Sequence, residues 1–286
     1  MINSALVVLS ETALALYPIL IKTVPTDIGT QLVSRLLTYT VLGFSLASLP
    51  DIKQTWGSIG GLKRSWSLGF MTLLHVISSY FAFKELPAGI SMSLFYSYPI
   101  FNLLGAALFF NETFGVKEIL LVSLAFAGVL LVAFSSKDSN EKQGFQAASY
   151  NWKGILAGLA AAITESGMYF AVRTAKQPNP FYAVLELYPA ALPLLLAGLF
   201  FTGRTIDTRG SVWLPMILFN TFIGFVGYCL RFYAVPRLPT AIFSILSFVG
   251  VIASFFWGYL FVGEVPTWLS LLGGGMIGTA AGLVKQ

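Results

Sequence analysis

The chain has 286 residues, 56% of them hydrophobic and only 10% charged, with a mean hydropathy of +0.79. Soluble domains carry about 25% charged residues to solvate their surface, so a water-facing globule is excluded. In lipid, unsatisfied backbone amides leave helices or closed barrels as the only spanning structures. The apolar runs are about 20 residues long and do not alternate, which matches helices crossing a ~30 Å hydrocarbon core rather than barrel strands. The net charge of +5 comes from Lys and Arg scattered through short loops. It marks membrane–water boundaries and predicts no nucleic-acid partner.

In chain order, spans are predicted at 2–21, 29–49, 66–85, 88–110 and 117–134, then at 154–174, 181–202, 212–233, 239–261 and 266–284. The first stretch lacks a basic leader and a small-residue cleavage site, so it reads as a retained helix and not a signal peptide. Pro18 should kink it, and Pro189 and Pro193 should kink the seventh span, because each removes a backbone hydrogen bond. Asp51 to Ser65, with Gly57, Gly60, Gly61, Lys63 and Arg64, is expected to be a loop. Ser135 to Asn151 is the clearly polar stretch and reads as a linker. The single cysteine, Cys229, lies within an apolar run, which sets aside disulfide and metal-finger readings. Gly274, Gly278 and Gly282 form a small-residue ridge suited to close helix contact. Packing inside the chain is the expected use, and a homodimer seam the alternative.

The two sides of the linker resemble each other. A shift of 152 residues places Leu86-Pro87 on Leu238-Pro239 and Glu112 on Glu264, with nine identities over 31 positions. A shift of 154 places Ser10-Glu11-Thr12 on Thr164-Glu165-Ser166 and Lys22 on Lys176. Five helices per half is an odd number, so the second half enters the membrane in the opposite sense. The predicted fold is therefore an all-α integral membrane protein. Ten transmembrane helices form two inverted-topology five-helix repeats, residues 1–134 and 152–286, joined by a polar linker at 135–151.

The segment Glu85 to Val132 resembles the fourth and fifth helices of a repeat of the drug/metabolite transporter superfamily, EamA type. The likeness lies in its Leu-Pro-Ala lead-in, Tyr98-Pro99, Glu112 and a Gly-rich fifth helix. The second copy, Arg237 to Val284, keeps the lead-in and Glu264 but has Gly250-Val251 where the first has Tyr98-Pro99. The resemblance implies solute transport by alternating access with both termini cytoplasmic. Lys and Arg divide almost evenly between the two sides, so charge bias sets no orientation. Which membrane holds the protein stays open.

Ionisable side chains at membrane depth cost at least ~2.5 kcal/mol each on insertion scales, so those within spans are the candidate solute- and proton-binding groups. They are Glu11, Glu165, Glu186, Arg35, His75 and Arg231; all four Asp fall in loops. A carboxylic acid removed from water can hold or release a proton in step with what binds beside it. Glu11 and Glu165 occupy equivalent places in the two halves, as coupling groups sharing a cavity would. The four-helix small multidrug resistance relatives are similar in placing a glutamate in their first helix. The other reading is that each is tied to Arg35 or Arg231 as a buried ion pair fixing helix packing. Helical spacing adds Tyr169 beside Glu165, Tyr39 beside Arg35, Tyr182 beside Glu186, and a stripe of Asn220, Tyr228 and Arg231. Ser79 sits one turn from His75. Tyr96 and Tyr98 flank the Pro99 break, where a freed carbonyl can face a cavity. Glu112 and Glu264 lie at span ends and read as capping or gating contacts.

No P-loop is present, so ATP is not the direct driver within this chain, and no cofactor, metal or catalytic set is read. An intramembrane aspartyl protease needs two Asp at membrane depth, a zinc protease needs an HExxH set, and a serine protease a nucleophile motif; none is found. The expected function is a secondary active transporter of a small organic solute, an amino acid, amine or similar metabolite, coupled to protons. The alternative is a nucleotide-sugar or organophosphate exchanger, which would ask for more Lys and Arg but which Arg35 and Arg231 keep open. The alternative of another class is a non-transporting membrane receptor or scaffold, against which the two antiparallel halves argue.

Overall fold

The computed structural model describes residues 2–86, 88–142, 152–175, 179–263 and 267–284, and they are helical with no strand among them. In chain order the helices are α1 (Ile2–Leu14), α2 (Tyr17–Thr23), α3 (Ile28–Leu46), α4 (Leu49–Trp56), α5 (Ile59–Glu85), α6 (Ala88–Phe95), α7 (Tyr98–Phe110) and α8 (Val116–Lys142). They continue as α9 (Trp152–Arg173), α10 (Pro180–Leu187), α11 (Ala191–Phe201), α12 (Gly210–Phe219), α13 (Val226–Ala234), α14 (Thr240–Ser247), α15 (Val249–Val262) and α16 (Trp268–Leu283). A π-helical turn, Asn220–Phe225, joins α12 to α13.

Seven stretches are long and apolar enough to cross a bilayer: Ile2–Thr23, Ile59–Glu85, Ser91–Phe110, Trp152–Arg173, Pro180–Phe201, Gly210–Arg237 and Thr240–Phe261. Outward-facing side chains such as Leu108, Phe109, Phe200 and Phe201 are more than 70% exposed; a bilayer, not water, is the solvent that such a surface fits. The protein is a multi-pass integral membrane protein. Helices α3, α8 and α16 stand where the other spans are predicted. The 16 residues of α16 rise only about 24 Å, and α3 carries Gln31 and Arg35 in its N-terminal half.

Several spans are broken, and the breaks shape the interior. Pro18 separates α1 from α2, Pro99 separates α6 from α7, and Pro189 separates α10 from α11. Pro189 leaves the Leu185 carbonyl without its helical donor, and the Trp56 indole N–H donates to it at 3.3 Å. The freed Thr12 carbonyl likewise accepts from the Trp257 indole at 2.8 Å. Pro193 lies in the first turn of α11, where a missing N–H costs nothing, so it adds no kink. The α14–α15 break at Phe248 comes without a proline. There the Tyr96 phenol presses on Gly250 where a Cβ would collide.

The expected loop at Asp51–Ser65 is instead mostly helix. Ser48 and Ser58 cap two new N-termini, accepting from the N–H groups of Asp51 at 3.3 Å and Gly61 at 3.1 Å, which satisfies backbone donors that would otherwise be orphaned. Helix α8 runs past Ser135 to Lys142, so the polar stretch opens as helix; 143–151 lie outside the described residues. Packing is densest between α8 and α16, α5 and α9, and α1 and α13. The α8–α16 seam closes on Gly128, whose added Cβ would lie 2.6 Å from the Gly273 carbonyl. The predicted ridge does not make that seam: Gly278 and Gly282 face nothing within 4 Å among the described residues.

Candidate functional site: a buried ion cluster and an aromatic cage

Helices from both halves of the sequence carry charged groups to the centre. Glu11 on α1 and Glu165 on α9 are 0% and 2% exposed. Arg231 on α13 stands between them, its Nε 3.4 Å from Glu11 Oε1 and its Nη1 2.5 Å from Glu165 Oε1. Glu11 also accepts from the Tyr98 hydroxyl at 3.0 Å and the Tyr96 hydroxyl at 3.3 Å, the two tyrosines flanking the Pro99 break. The Arg231 guanidinium lies over the Tyr98 ring at 4.6 Å. Each ion taken out of water costs several kcal/mol after relaxation. The shared arginine, the tyrosine hydroxyls and the ring face offset that cost.

His75 on α5 completes the cluster. Its Nδ1 lies 3.2 Å from the Ala161 carbonyl and its Nε2 3.1 Å from Glu165 Oε2. A carbonyl only accepts, so Nδ1 is assigned the hydrogen. Nε2 then meets the carboxylate either as a bare lone pair or through a second proton.

Arg35 on α3 is placed differently. Its guanidinium carbon lies 4.6 Å from the Tyr17 ring centre, 5.1 Å from Tyr228, 5.5 Å from Tyr39 and 5.7 Å from Tyr80. No carboxylate lies within ion-pairing distance of it among the described residues. The cage is braced from behind. The Tyr17 and Tyr39 hydroxyls are 2.9 Å apart, Tyr17 donates to Asn220 Oδ1 at 3.1 Å, and Asn220 Nδ2 donates to Ser34 Oγ at 3.3 Å. Gly224, in the π turn, lets both hydroxyls approach where any Cβ would block them. A cavity of about 20 Å³ separates the cage from the ion cluster, and Arg35, Arg231, His75, Tyr96, Tyr17 and Tyr228 contribute to its wall. Neither Glu11 nor Glu165 lines it; each is reached through a lining residue.

With this geometry in view, the model of the EamA-like transporter family matches residues 1–134 and 152–285. The chain belongs to the EamA-like transporter family. It is 27% identical to the uncharacterized transporter YdfC of Bacillus subtilis over 84% of this chain and 73% of that one. It is 22% identical to the pseudopaline exporter CntI of Pseudomonas aeruginosa, over 73% and 70% of the two chains. It is 28% identical to a probable terminal-alkyne amino-acid exporter of Streptantibioticus cattleyicolor, over 67% and 62%. One crystal structure shares the fold at a TM-score of 0.70 and 18% identity, covering 98% of this chain and 94% of its own.

Not every predicted residue of this EamA-like transporter reaches the centre. Glu186 pairs with Arg64 at 2.9 Å, at the end of α5 where Arg64 also donates to the Ala171 carbonyl. Tyr169 donates to Thr240 at 3.1 Å and accepts from Arg173, whose guanidinium also pairs with Glu112. Glu112 thus joins α9 to the end of α7, a span-end contact; Glu264 lies outside the described residues. Tyr17, Tyr80 and Tyr188 belong to the central group and were not singled out by spacing. Tyr-Pro occurs three times, at 17–18, 98–99 and 188–189. Each copy sits at a helix break and sets its tyrosine in the core, a signal the sequence does carry.

Proposed function

We propose that the protein is a secondary active transporter that moves a small organic solute, an amino acid, amine or similar metabolite, in exchange for protons. Two inverted five-helix halves, ten spans in all, would alternate access to the central site. The observation that carries this reading is that one guanidinium, Arg231, is shared by two buried carboxylates, Glu11 and Glu165. That trio holds one negative charge in excess, which a proton or a cationic group can neutralise in turn. The contact between His75 and Glu165 is favourable when a proton sits between them, which makes this pair the proposed seat of it. Separate matches of the family model to 1–134 and 152–285 support two repeats. The probable terminal-alkyne amino-acid exporter among its relatives favours an amino-acid-like cargo.

The ends of the bundle suit alternating access. Ion pairs tie one end, Arg64–Glu186 and Arg173–Glu112. At the other end of α5 an open depression of about 650 Å³ is lined by Ile21, Lys22, Pro25, Asp27 and Lys84. The test is proton release from purified protein on adding amino acids, amines and nucleotide sugars, with Glu11→Gln and Glu165→Gln beside the parent. Release with one solute class, reduced in either variant, is expected. Binding with unchanged release in both variants would return the glutamates to structural duty.

A further inference from the structure

We propose that Arg35 and its aromatic cage are the binding site for a carboxylate group of the solute, so that the cargo class is amino acids or other monocarboxylates rather than plain amines or phosphates. The word cargo rests on the transporter reading above; the anion site rests on geometry of its own.

Arg35 is 2% exposed, and the four tyrosine rings around its guanidinium are placed for cation–π attraction. Ring faces do not accept the in-plane N–H groups. Nε and Nη2 have no acceptor at hydrogen-bonding geometry, and together they form the side-on fork that a carboxylate grips with two parallel bonds. The buried hydroxyls of Tyr80 and Tyr188 lie beside this guanidinium, yet neither meets it or any other group at hydrogen-bonding geometry. Buried donors of this kind are costly to leave unmade, and a carboxylate supplies the acceptor oxygens they lack.

Charge selects a monoanion. The second guanidinium on the cavity wall, Arg231, is already committed to Glu11 and Glu165. One uncommitted cation remains, which a carboxylate matches and a phosphate dianion exceeds. Among the described residues the wall includes Arg35, Arg231 and His75 and no carboxylate, so an amine alone meets none of their acids there directly. At about 20 Å³ the cavity admits one water-sized group, the scale of a single carboxylate oxygen; the rest of the carboxylate and of the solute would enter as the halves separate. An α-amino acid held by Arg35 would turn its ammonium toward Tyr96, which donates to Glu11, and so toward the surplus negative charge.

The experiment is equilibrium binding to the purified full chain in detergent, using acetate and the common L-amino acids, each amino acid paired with its carboxamide. At least one acid is expected to bind tenfold or more tightly than its amide. Arg35→Gln should abolish that preference, and Arg35→Lys, which keeps the charge but not the fork, should restore part of it. Should Arg35→Gln fail to fold, the acid–amide ratio of the parent and of Tyr80→Phe decides. Equal binding of acid and amide, an undiminished preference in Arg35→Gln, or no binding of any carboxylate overturns the site. Amine-driven proton release that persists in Arg35→Gln, with no preference for acids, discards the site and leaves the transporter reading standing. Acid binding that depends on Arg35, without flux in sealed vesicles, keeps the site and discards the transporter.

Discussion

The centre and the ends of this bundle use the same chemical groups to different effect. Glu11, Glu165 and Arg231 are each at most 3% exposed at the side chain, whereas Arg64 and Arg173 are 37% and 23% exposed and Arg209 is 61% exposed. Water screens an exposed ion pair, which contributes only about 0–1 kcal/mol, while a buried ion that loses its partner is left stranded in low dielectric. The depth of both partners, rather than residue type, decides how much a pair contributes to the fold.

The sharpest way to break that comparison is Arg231→Met. It strands two carboxylates and should lower unfolding stability in detergent by about 3–5 kcal/mol, the usual cost of breaking a buried pair. Adding Glu11→Gln and Glu165→Gln should recover most of the loss, since a neutral core no longer needs the arginine. A triple variant as unstable as the single would show that Arg231 acts by packing. Tyr98→Phe comes next: removing one hydrogen bond to a charged group should cost about 1.5–3 kcal/mol. Tyr96→Phe, with its longer 3.3 Å bond, should cost less by the same unfolding assay.

At the ends, Arg173→Gln should shift stability by less than about 1 kcal/mol, because water reaches both it and Glu112. A loss matching that of Arg231→Met would erase the distinction between the regions. The smallest effect belongs to the loop pair at the start of α12. Three side-chain bonds and a backbone N–H from Arg209 hold the Asp207 carboxyl well below the usual carboxylate range. A lowered folded-state value means the contribution is present above the ordinary Asp range and is lost as pH falls through the lowered one. Parent and Asp207→Asn melting curves should therefore differ by a constant amount from pH 7 to 5 and converge in stronger acid. A gap that widens on acidification would contradict the sign.

Much of the candidate site was legible because charge is rare here. With 10% charged residues, each ion inside an apolar run stands out, and Glu11, Glu165, Arg35, His75 and Arg231 all converge on one region. Spacing along a single helix misled at Glu186 and Tyr169. It reports a shared face, not depth, and both residues lie nearer the ends with arginines of their own. Spacing also passed over Tyr17 and Tyr188, whose positions depend on the breaks at Pro18 and Pro189.

Composition and the length of the apolar runs by themselves determined that the chain is helical and membrane-embedded, because backbone satisfaction in lipid is a local requirement that each segment meets alone. Local chemistry also placed three of the breaks, since a proline removes a donor wherever it sits. Tertiary structure alone decided that Arg231 serves both glutamates and Arg35 neither. That choice depends on which helices lie side by side, on glycines such as Gly224 and Gly250 that let tyrosine hydroxyls pass, and on distances between groups more than a hundred residues apart in the chain.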